Sequence, residues 1–479
     1  MNLAASVPVV LVVLPFAGAS VAFIWPARRV PVTYMCGAGT LAAAIAAAVL
    51  AAQEGLLRHE LGGWAIPLGI GWHLDDLAAA MLLLTAVVGS VGVLYRHVEV
   101  AADAPSSTWF EPLWLFLWGG LNALFLAADL FNLYIVLELV ALATVALIAL
   151  AGGRALAAAW RYFVATLLGS SVYLLGVALL YGSYGTLDIA ATQEVLQTGL
   201  TAVLAALLIT LALLLKAAVF PLHFWLPAAH GRAPTAVSAM LSGVVVAAAF
   251  YLLIRLWLEP FMPLLDSGTP LVLGGLGAAA LFWGGVQALL QRRLKMLVAY
   301  STISQLGLVL LVFPLIATET ATTAAWRGAV AVVIAHGFAK AALFLAAGAI
   351  AWHRGHDRIG RPGCPRQGPV MALLAFGLAS ATLIGLPPTG GFVGKWWLLQ
   401  SALVGQAWVW ALAILAGSLL TAAYLYRAFD GPLTTHGKPA RRPPRALSGL
   451  ALLLAVIACA LGPALALTGG WPGMPQGLE

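Results

Sequence analysis

The chain has 479 residues, of which 62% are hydrophobic and 9% charged, and its formal net charge is +7. A soluble domain carries roughly a quarter charged residues, so this composition excludes a soluble globular protein and predicts an integral membrane protein. The positive charge lies between apolar runs, where membrane topology accounts for it, so we expect no nucleic acid partner.

Fourteen apolar runs follow one another along the chain. A spanning helix needs about 20 mostly apolar residues. The runs cover residues 6–25, 32–52, 76–95, 112–129, 131–151, 161–183, 199–220, 234–257, 269–290, 295–316, 323–351, 369–400, 405–427 and 446–468. The sequence therefore predicts an all-α, polytopic membrane protein with about 14 transmembrane helices.

Motifs of metal, cofactor and nucleotide sites are missing from the sequence. Cys36, Cys364 and Cys459 are far apart and form no metal-ligand spacing. No glycine-rich phosphate loop follows a strand-like segment. We therefore expect no metal and no cofactor. The basic pair Arg28 and Arg29 follows the first apolar run, so we expect that run to be a span and not a cleaved signal peptide.

Most of the 24 Lys and Arg residues lie in alternate loops. These loops hold Arg28, Arg29, Arg96, Arg154, Arg161, Arg232, Arg292, Arg293, Lys295, Arg354, Arg358, Arg361, Arg366, Arg427, Lys438, Arg441, Arg442 and Arg445. The opposite side holds only Arg58, Arg255 and Arg327. Basic loops face the cytoplasm, so we expect a multi-pass protein of the inner (cytoplasmic) membrane with both termini on the non-cytoplasmic side.

Four charged residues lie deep inside the apolar runs, away from the ends of the runs: Glu138, Lys216, Lys340 and Lys395. Each costs roughly 2.5–3.5 kcal/mol at bilayer depth, so such residues usually pair, contact water or perform a function. A structural ion pair or a side chain that reaches the interface would explain a single case. Burial disfavours a charged lysine and a nearby carboxylate favours it, so a Glu138–Lys216 pair could handle protons if the fifth and seventh spans pack together.

Two runs are interrupted beside a lysine. Pro221 follows Lys216 and opens the seventh helix there, and "GLPPTGGFVGKWW" (385–397) breaks the twelfth run next to Lys395. Freed backbone groups at this depth require protein or water partners, which predicts a hydrated pocket. Similar breaks five spans apart predict two structural repeats, the second inverted because each repeat has an odd number of spans.

The eleventh run places His336 and Lys340 four residues apart, on one helix face. Such a histidine either titrates near neutral pH or bonds to a backbone carbonyl. The segment "YSTISQLG" (300–307) adds Ser301, Thr302, Ser304 and Gln305. These side chains could order water or bond across helices.

Four segments together resemble one membrane protein family: "LKAAVFPLHFWLPAAHGRAPTAVSAMLSG" (215–243), "RRLKMLVAYSTISQLG" (292–307), "HGFAKAALFLAAG" (336–348) and "GLPPTGGFVGKWW" (385–397). They look like the antiporter-like subunits of complex I, Mrp antiporters and energy-converting hydrogenases, most like the D-type Mrp protein or the mid-sized complex I pump. The resemblance implies fourteen helices, with helices 4–8 and 9–13 as inverted repeats and helices 7 and 12 broken. The resemblance thus divides the chain into four segments. Residues 1–111 would hold helices 1–3, residues 112–257 the first repeat, residues 258–427 the inverted second repeat, and residues 428–479 helix 14.

The resemblance also implies roles for the buried residues. Glu138 would tune Lys216, and protons would pass through Lys340 and His336 to Lys395. Candidates for a bridge of hydroxyl groups or water are Ser242, Ser301, Ser304, His223 and His230.

Two positions depart from the family pattern. Ala247 stands where the eighth helix usually has a lysine, so the path from Lys216 to Lys340 would need water or hydroxyl groups such as Ser242. Arg293 replaces an acid that often precedes the tenth helix.

The expected function is a proton-translocating subunit of a multi-subunit antiporter or respiratory complex. Its partners would be other membrane subunits, including further antiporter-like ones, and protons, with Na⁺ or K⁺ as open alternatives. A redox centre is not expected in this chain. Two other functions stay open: a non-conducting structural subunit, favoured by Ala247, and a stand-alone secondary transporter.

Overall fold

The computed structural model describes residues 3–64, 69–102, 107–265, 268–317, 322–359, 369–429 and 442–468. Nearly all of the secondary structure in these ranges is helical, as the sequence predicts. Some residues used in the sequence analysis lie outside the described ranges: Arg361, Cys364, Arg366, Lys438 and Arg441.

Long helices and one short helix form the first part of the chain. They are α1 (Leu3–Ile24), α2 (Arg29–Glu54), α3 (Asp76–Ala101), α4 (Phe110–Leu126), α5 (Leu130–Ala149), α6 (Arg154–Tyr184) and the short α7 (Ile189–Val195). Between α2 and α3, strands β1 (Leu57–Glu60) and β2 (Gly71–Leu74) pair antiparallel, with Leu57 opposite Leu74. The Ala128 amide donates to the Gly71 carbonyl at 3.1 Å, which attaches the hairpin to the turn between α4 and α5. This hairpin was not predicted from the sequence.

The second part begins with α8 (Leu200–Lys216) and α9 (Leu226–Arg232). Next comes one continuous stretch made of α10 (Thr235–Met240), a π-helical turn (Leu241–Val245) and α11 (Val246–Leu258). The remaining helices are α12 (Gly268–Leu290), α13 (Leu294–Leu310), α14 (Val312–Ile316), α15 (Thr322–Arg354), α16 (Val370–Ile384), α17 (Gly390–Val404), α18 (Trp408–Arg427) and α19 (Arg445–Thr468).

Eleven helical stretches in the described ranges are long and apolar enough to cross a bilayer. Three further helices, α4, α8 and α16, are apolar but shorter. The structure therefore confirms a polytopic helical membrane protein. The count of fourteen and the inverted repeats stay predictions.

Two stretches form the centre of the protein. The most apolar windows of α15 and of the α10–α11 stretch are 100% buried, whereas only 33% of the corresponding window of α19 is buried. A helix that is apolar on all sides belongs inside a bundle, and one with an exposed apolar face suits contact with lipid. The two central stretches approach closely, since a Cβ on Gly243 would lie 2.7 Å from the Gly337 carbonyl oxygen. This contact brings the π-helical turn next to the middle of α15.

Candidate functional site

Glu138 and Lys216 meet across α6, which packs against both α5 and α8. The distance from Glu138 Oε1 to Lys216 Nζ is 3.7 Å, and Lys216 is only 8% exposed. The Ser170 hydroxyl of α6 donates to Glu138, and Lys216 Nζ donates to the Thr166 carbonyl at 3.4 Å. The carboxylate and the ammonium group therefore share polar contacts with one helix, so small movements of α6 can change their separation.

The helix that carries Lys216 ends at this residue. Ala218 has a φ of +53°, which takes the chain out of the helix, and α9 begins only at Leu226. Trp225 Nε1 donates to the Leu215 carbonyl at 2.9 Å, so a carbonyl freed by the break has a side-chain partner. This satisfies the requirement that open backbone at membrane depth finds polar partners inside the protein.

A cavity of about 20 Å³ lies next to Lys216. Polar residues Tyr162 and Thr166 of α6 line one side, and Val245 and Ala248 of the α10–α11 stretch line the other. A polar cavity above roughly 10–15 Å³ can hold one water molecule. There is thus room for a water molecule between Lys216 and the α10–α11 stretch.

The α10–α11 stretch contains a hydroxyl group, that of Ser242, near Ala247, which has no titratable side chain. Ala247 is fully buried in α11. One turn earlier, the Ser242 and Thr302 hydroxyl oxygens are 2.7 Å apart, and Thr302 donates to the Val298 carbonyl at 3.2 Å. The same carbonyl accepts a hydrogen bond from Lys340 Nζ at 3.1 Å. Ser242 therefore connects through α13 to Lys340. It lies in a π-helical turn, a distortion that is frequent at functional sites.

Lys340 is completely buried in α15 and donates to the Ser301 hydroxyl. Within the described ranges its ammonium group forms no ion pair with a carboxylate. His336, one turn earlier, is 2% exposed, and neither ring nitrogen makes a hydrogen bond of ordinary geometry with a described residue. The middle of α15 thus combines a buried amine with a buried imidazole.

Three other predicted bridge residues bond elsewhere. Ser304 donates to a backbone carbonyl of α12 at 2.9 Å. His230 is buried and its Nδ1 lies 3.1 Å from a carbonyl one turn earlier in α9. His223 Nε2 accepts from Trp283 Nε1 at 3.1 Å in the segment after the α8 break. All three therefore have contacts that hold helices or turns together.

Lys395 lies in α17, close to the second break, which separates α16 from α17. Its Nζ donates to the Leu383 carbonyl at 2.7 Å, to the Ile384 carbonyl at 3.1 Å and to the Ser418 hydroxyl at 3.2 Å. The two carbonyls belong to the last turn of α16, where helix carbonyls lack intrahelical partners. The negative end of the α16 dipole and these acceptors stabilise a cation at this position.

A polar network that the sequence analysis missed lies between α13 and α18. Gln305 Nε2 donates to Thr421 at 3.0 Å and to the Tyr424 hydroxyl at 3.4 Å, and Tyr424 donates to Thr421 at 3.3 Å. Ser418, Thr421 and Tyr424 follow each other at intervals of three along α18, which puts them on one helix face. This spacing indicates a polar face on α18 and can be seen in the sequence. The network lies between the helix that contacts Lys340 and the residue that contacts Lys395.

Arg255, which is predicted to lie on the side opposite the basic loops, forms a cluster of ion pairs. It lies inside α11, is 6% exposed, and pairs with Asp75 at 2.5 Å and with Glu259 at 3.2 Å. These two ion pairs stabilise its buried charge inside the helix. Among the described residues, Glu99, Glu111 and Asp188 are buried acids, whereas the Glu138 side chain is 21% exposed.

The fold and the buried polar row define a helical membrane protein built around ionisable groups. The family model "NADH:quinone oxidoreductase/Mrp antiporter, TM" matches residues 127–421, and the chain belongs to this family. The N-type subunit of the NADH-quinone oxidoreductase of Desulforudis audaxviator is 33% identical over 456 residues, which cover 92% of this chain and 89% of that protein. The D-type subunit of the Na(+)/H(+) antiporter of Alkalihalophilus pseudofirmus is 31% identical over 399 residues, which cover 82% and 79%.

Chains of two solved membrane complexes share the fold. A chain of the Mrp complex from Dietzia sp. DQ12-45-1b superposes with a TM-score of 0.89 at 25% identity, covering 98% of this chain and 96% of that one. A chain of the membrane-bound sulfane sulfur reductase, an archaeal respiratory membrane complex, has a TM-score of 0.87 at 25% identity, covering 97% and 95%. These matches confirm the resemblance that the sequence motifs indicate.

Proposed function

We propose that this chain is a proton-translocating, antiporter-like subunit of a multi-subunit membrane complex. Protons pass along Glu138, Lys216, Lys340 with His336, and Lys395 near the middle of the bilayer. The observation that carries this proposal is the row of buried amines and hydroxyl groups that runs from the end of α8 to the break between α16 and α17.

The first step uses the ion pair at the α8 break. Two unit charges 3.7 Å apart interact by about 4 kcal/mol at an effective dielectric constant of 20. When Glu138 moves away from Lys216, the buried ammonium group loses this stabilisation and releases its proton more readily. The bond from Ser170 to Glu138 gives the carboxylate a second partner during that movement.

In the second step the proton crosses the α10–α11 stretch. A water molecule in the 20 Å³ cavity would receive the proton from Lys216, Ser242 and Thr302 would carry it to α13, and the Ser301 hydroxyl, which contacts Lys340, would complete the path. A hydroxyl group can donate and accept at once, so it relays a proton without carrying a charge. This route compensates for Ala247, which offers no titratable group.

The third step connects Lys340 with Lys395 through the network between α13 and α18. Gln305, Thr421 and Tyr424 contact one another, and Ser418 on the same face of α18 contacts Lys395. The energy source, redox chemistry or ion exchange, would lie in partner subunits.

The proposed architecture has fourteen spans. Residues 112–257 and 258–427 form the two inverted repeats, preceded by 1–111 and followed by 428–479. The breaks after α8 and after α16 support this division, because each has a buried lysine beside it. Both termini would face the non-cytoplasmic side of the inner membrane, given the alternation of basic loops.

The relatives favour partners in the same membrane. One is named as a subunit of NADH-quinone oxidoreductase and another as a subunit of a Na(+)/H(+) antiporter. We infer that this chain works beside other membrane subunits, including further antiporter-like ones. Protons are its transported ion, and Na⁺ or K⁺ would cross the assembly only in an antiporter.

The test is proton flux in proteoliposomes that contain the complex purified through a tag on this chain. Lys216→Ala and Glu138→Gln should each lower coupled proton flux at least about tenfold, because a loss of roughly 1.4 kcal/mol suffices for that change. Ser304→Ala is the matched control, since its hydroxyl bonds to a carbonyl of α12, and flux should stay unchanged.

A non-conducting structural subunit is the second candidate, and Ala247 favours it. Unchanged flux in the Lys216→Ala complex, with all subunits still assembled, would establish that role and overturn proton translocation by this chain. Ion flux by the isolated chain, without co-purifying subunits, would indicate a stand-alone transporter instead.

A further inference from the structure

A cavity of about 910 Å³ lies apart from the buried row. It is bordered by the turn between α5 and α6, by the segment from the α8 break through α9, and by the turn between α12 and α13. Among the described residues, its lining includes no acidic side chain and five arginines: Arg154, Arg161, Arg232, Arg292 and Arg293. This volume, here named the basic cavity, is in the range of small-molecule ligand sites.

The positive charge of the basic cavity is largely uncompensated. Arg293 forms an ion pair with Asp357 at 3.8 Å, whereas Arg232 donates to the Arg154 carbonyl, a neutral acceptor that leaves the Arg232 charge in place. In the described part of the chain the other four arginines form no ion pair. Like charges at one site repel, so such a cluster is stable when an anion binds between its members.

Two helix N-termini add to the positive electrostatic potential of the basic cavity. Helix α6 begins at Arg154, and α13 begins at Leu294, directly after Arg293. The amino end of a helix carries roughly half a positive charge and presents free backbone N–H groups. Planar guanidinium groups bind phosphate oxygens in pairs, so phosphate is the anion that this chemistry favours.

Part of the wall is apolar and exposed. Phe224 is 57% exposed and Leu290 is 62% exposed, and both line the basic cavity. Trp160, beside Arg161, is 65% exposed. Such surfaces on a membrane protein suit acyl chains. A free phosphate ion would leave them uncovered, whereas a lipid would cover them while its headgroup met the arginines.

We propose that the basic cavity binds the phosphate headgroup of an anionic phospholipid, with the acyl chains against Phe224 and Leu290. The arginines belong to the loops expected to face the cytoplasm, where anionic lipid and juxtamembrane basic clusters attract each other. The lipid joins the α5–α6 turn, α9 and the α12–α13 turn, which are three separate parts of the chain. This site is independent of the proton path and would exist in a non-conducting subunit too.

The experiment is a phosphatidylglycerol titration of the full chain in phosphatidylcholine nanodiscs, followed by native mass spectrometry. Arg161→Gln/Arg292→Gln should bind phosphatidylglycerol roughly 30-fold more weakly than the unmodified chain, from the typical contribution of each basic residue. Arg28→Gln/Arg427→Gln removes the same charge outside the cavity and should change affinity less than about threefold.

A second variant guards against loss of the fold. Arg161→Lys/Arg292→Lys keeps the charge but loses paired phosphate contacts, so its affinity should lie between those of the unmodified chain and the glutamine variant. Equal lipid binding by the glutamine variant and its control would overturn the site. Competition by millimolar inorganic phosphate would show a soluble anion site instead of a lipid site. Binding by the isolated chain but not by the intact complex would show that a partner subunit occupies the cavity.

Discussion

The ion pair between Asp75 and Arg255 gives a sharp prediction about stability. Arg255 is 6% exposed, its Nη2 lies 2.5 Å from Asp75 Oδ2, and its guanidinium lies 5.1 Å from the centre of the Tyr251 ring. The other carboxylate oxygen, Oδ1, accepts from the Ala78 amide at 2.8 Å and caps α3. Asp75→Asn therefore removes the charge and keeps a residue that caps helices well.

The expected loss for Asp75→Asn is about 2 kcal/mol. Breaking a fully buried ion pair costs roughly 3–5 kcal/mol. Here Asp75 is 30% exposed, and Arg255 keeps Glu259 at 3.2 Å, so the cost falls below that range. Asp75→Ala also removes the cap, which adds about 1 kcal/mol. The order of stability is then unmodified chain, Asp75→Asn, Asp75→Ala.

Unfolding by sodium dodecyl sulfate in lipid–detergent micelles at neutral pH measures these differences. Glu60→Gln, on the exposed edge of the hairpin, removes the same charge and should change stability by less than about 0.5 kcal/mol. If Asp75→Asn unfolds within about 0.5 kcal/mol of the unmodified chain, the pair behaves like an exposed one and the reasoning from burial is wrong. If Asp75→Asn and Asp75→Ala are equal, the cap contributes nothing.

Three further predictions concern the relay and the hairpin. Ser242→Ala should lower proton flux roughly tenfold in proteoliposomes, since one relay hydrogen bond is lost, whereas Ser304→Ala should not; equal flux would remove Ser242 from the path. Lys395→Ala should reduce stability by about 1–3 kcal/mol because it leaves buried carbonyls without a partner, and an unchanged unfolding midpoint would contradict this. Burial and the nearby Arg255 lower the pKa of His73 to about 4 from 6.5. The folded state therefore binds this proton more weakly than the unfolded chain does. The free energy of unfolding is highest above pH 6.5 and decreases by up to roughly 3 kcal/mol as the pH falls toward 4. His73→Gln should remove this decrease, which unfolding measured across that pH range would show.

The features that the sequence predicts well depend on local composition. Apolar runs give the helices, because a polar residue is costly at any lipid-facing position. The end of α8 at Lys216 and the gap between Ile384 and Gly390 follow from nearby prolines, which cannot continue a helix. Both breaks lie where the sequence places them.

The features that it does not predict depend on which spans become neighbours. Asp75 and Arg255 are 180 positions apart, and nothing in either segment indicates the other. Hydroxyl groups show the same limit, because Ser301 contacts Lys340 while Ser304, on the same helix, bonds to α12. The residue type is identical, and only the helix packing separates the two roles.

The carboxylates along the proposed relay are unevenly distributed, and this distribution indicates where a conformational signal would act. Of the three buried lysines in the described ranges, Lys216 alone has a carboxylate within 4 Å, whereas Lys340 and Lys395 contact only hydroxyl and carbonyl oxygens. A neutral acceptor changes the energy of an ammonium group far less than a carboxylate that moves. The separation of Glu138 from Lys216 is thus the largest electrostatic change available to the row. A conformational signal from a partner subunit would act most strongly there, and the two other lysines would respond to the proton released.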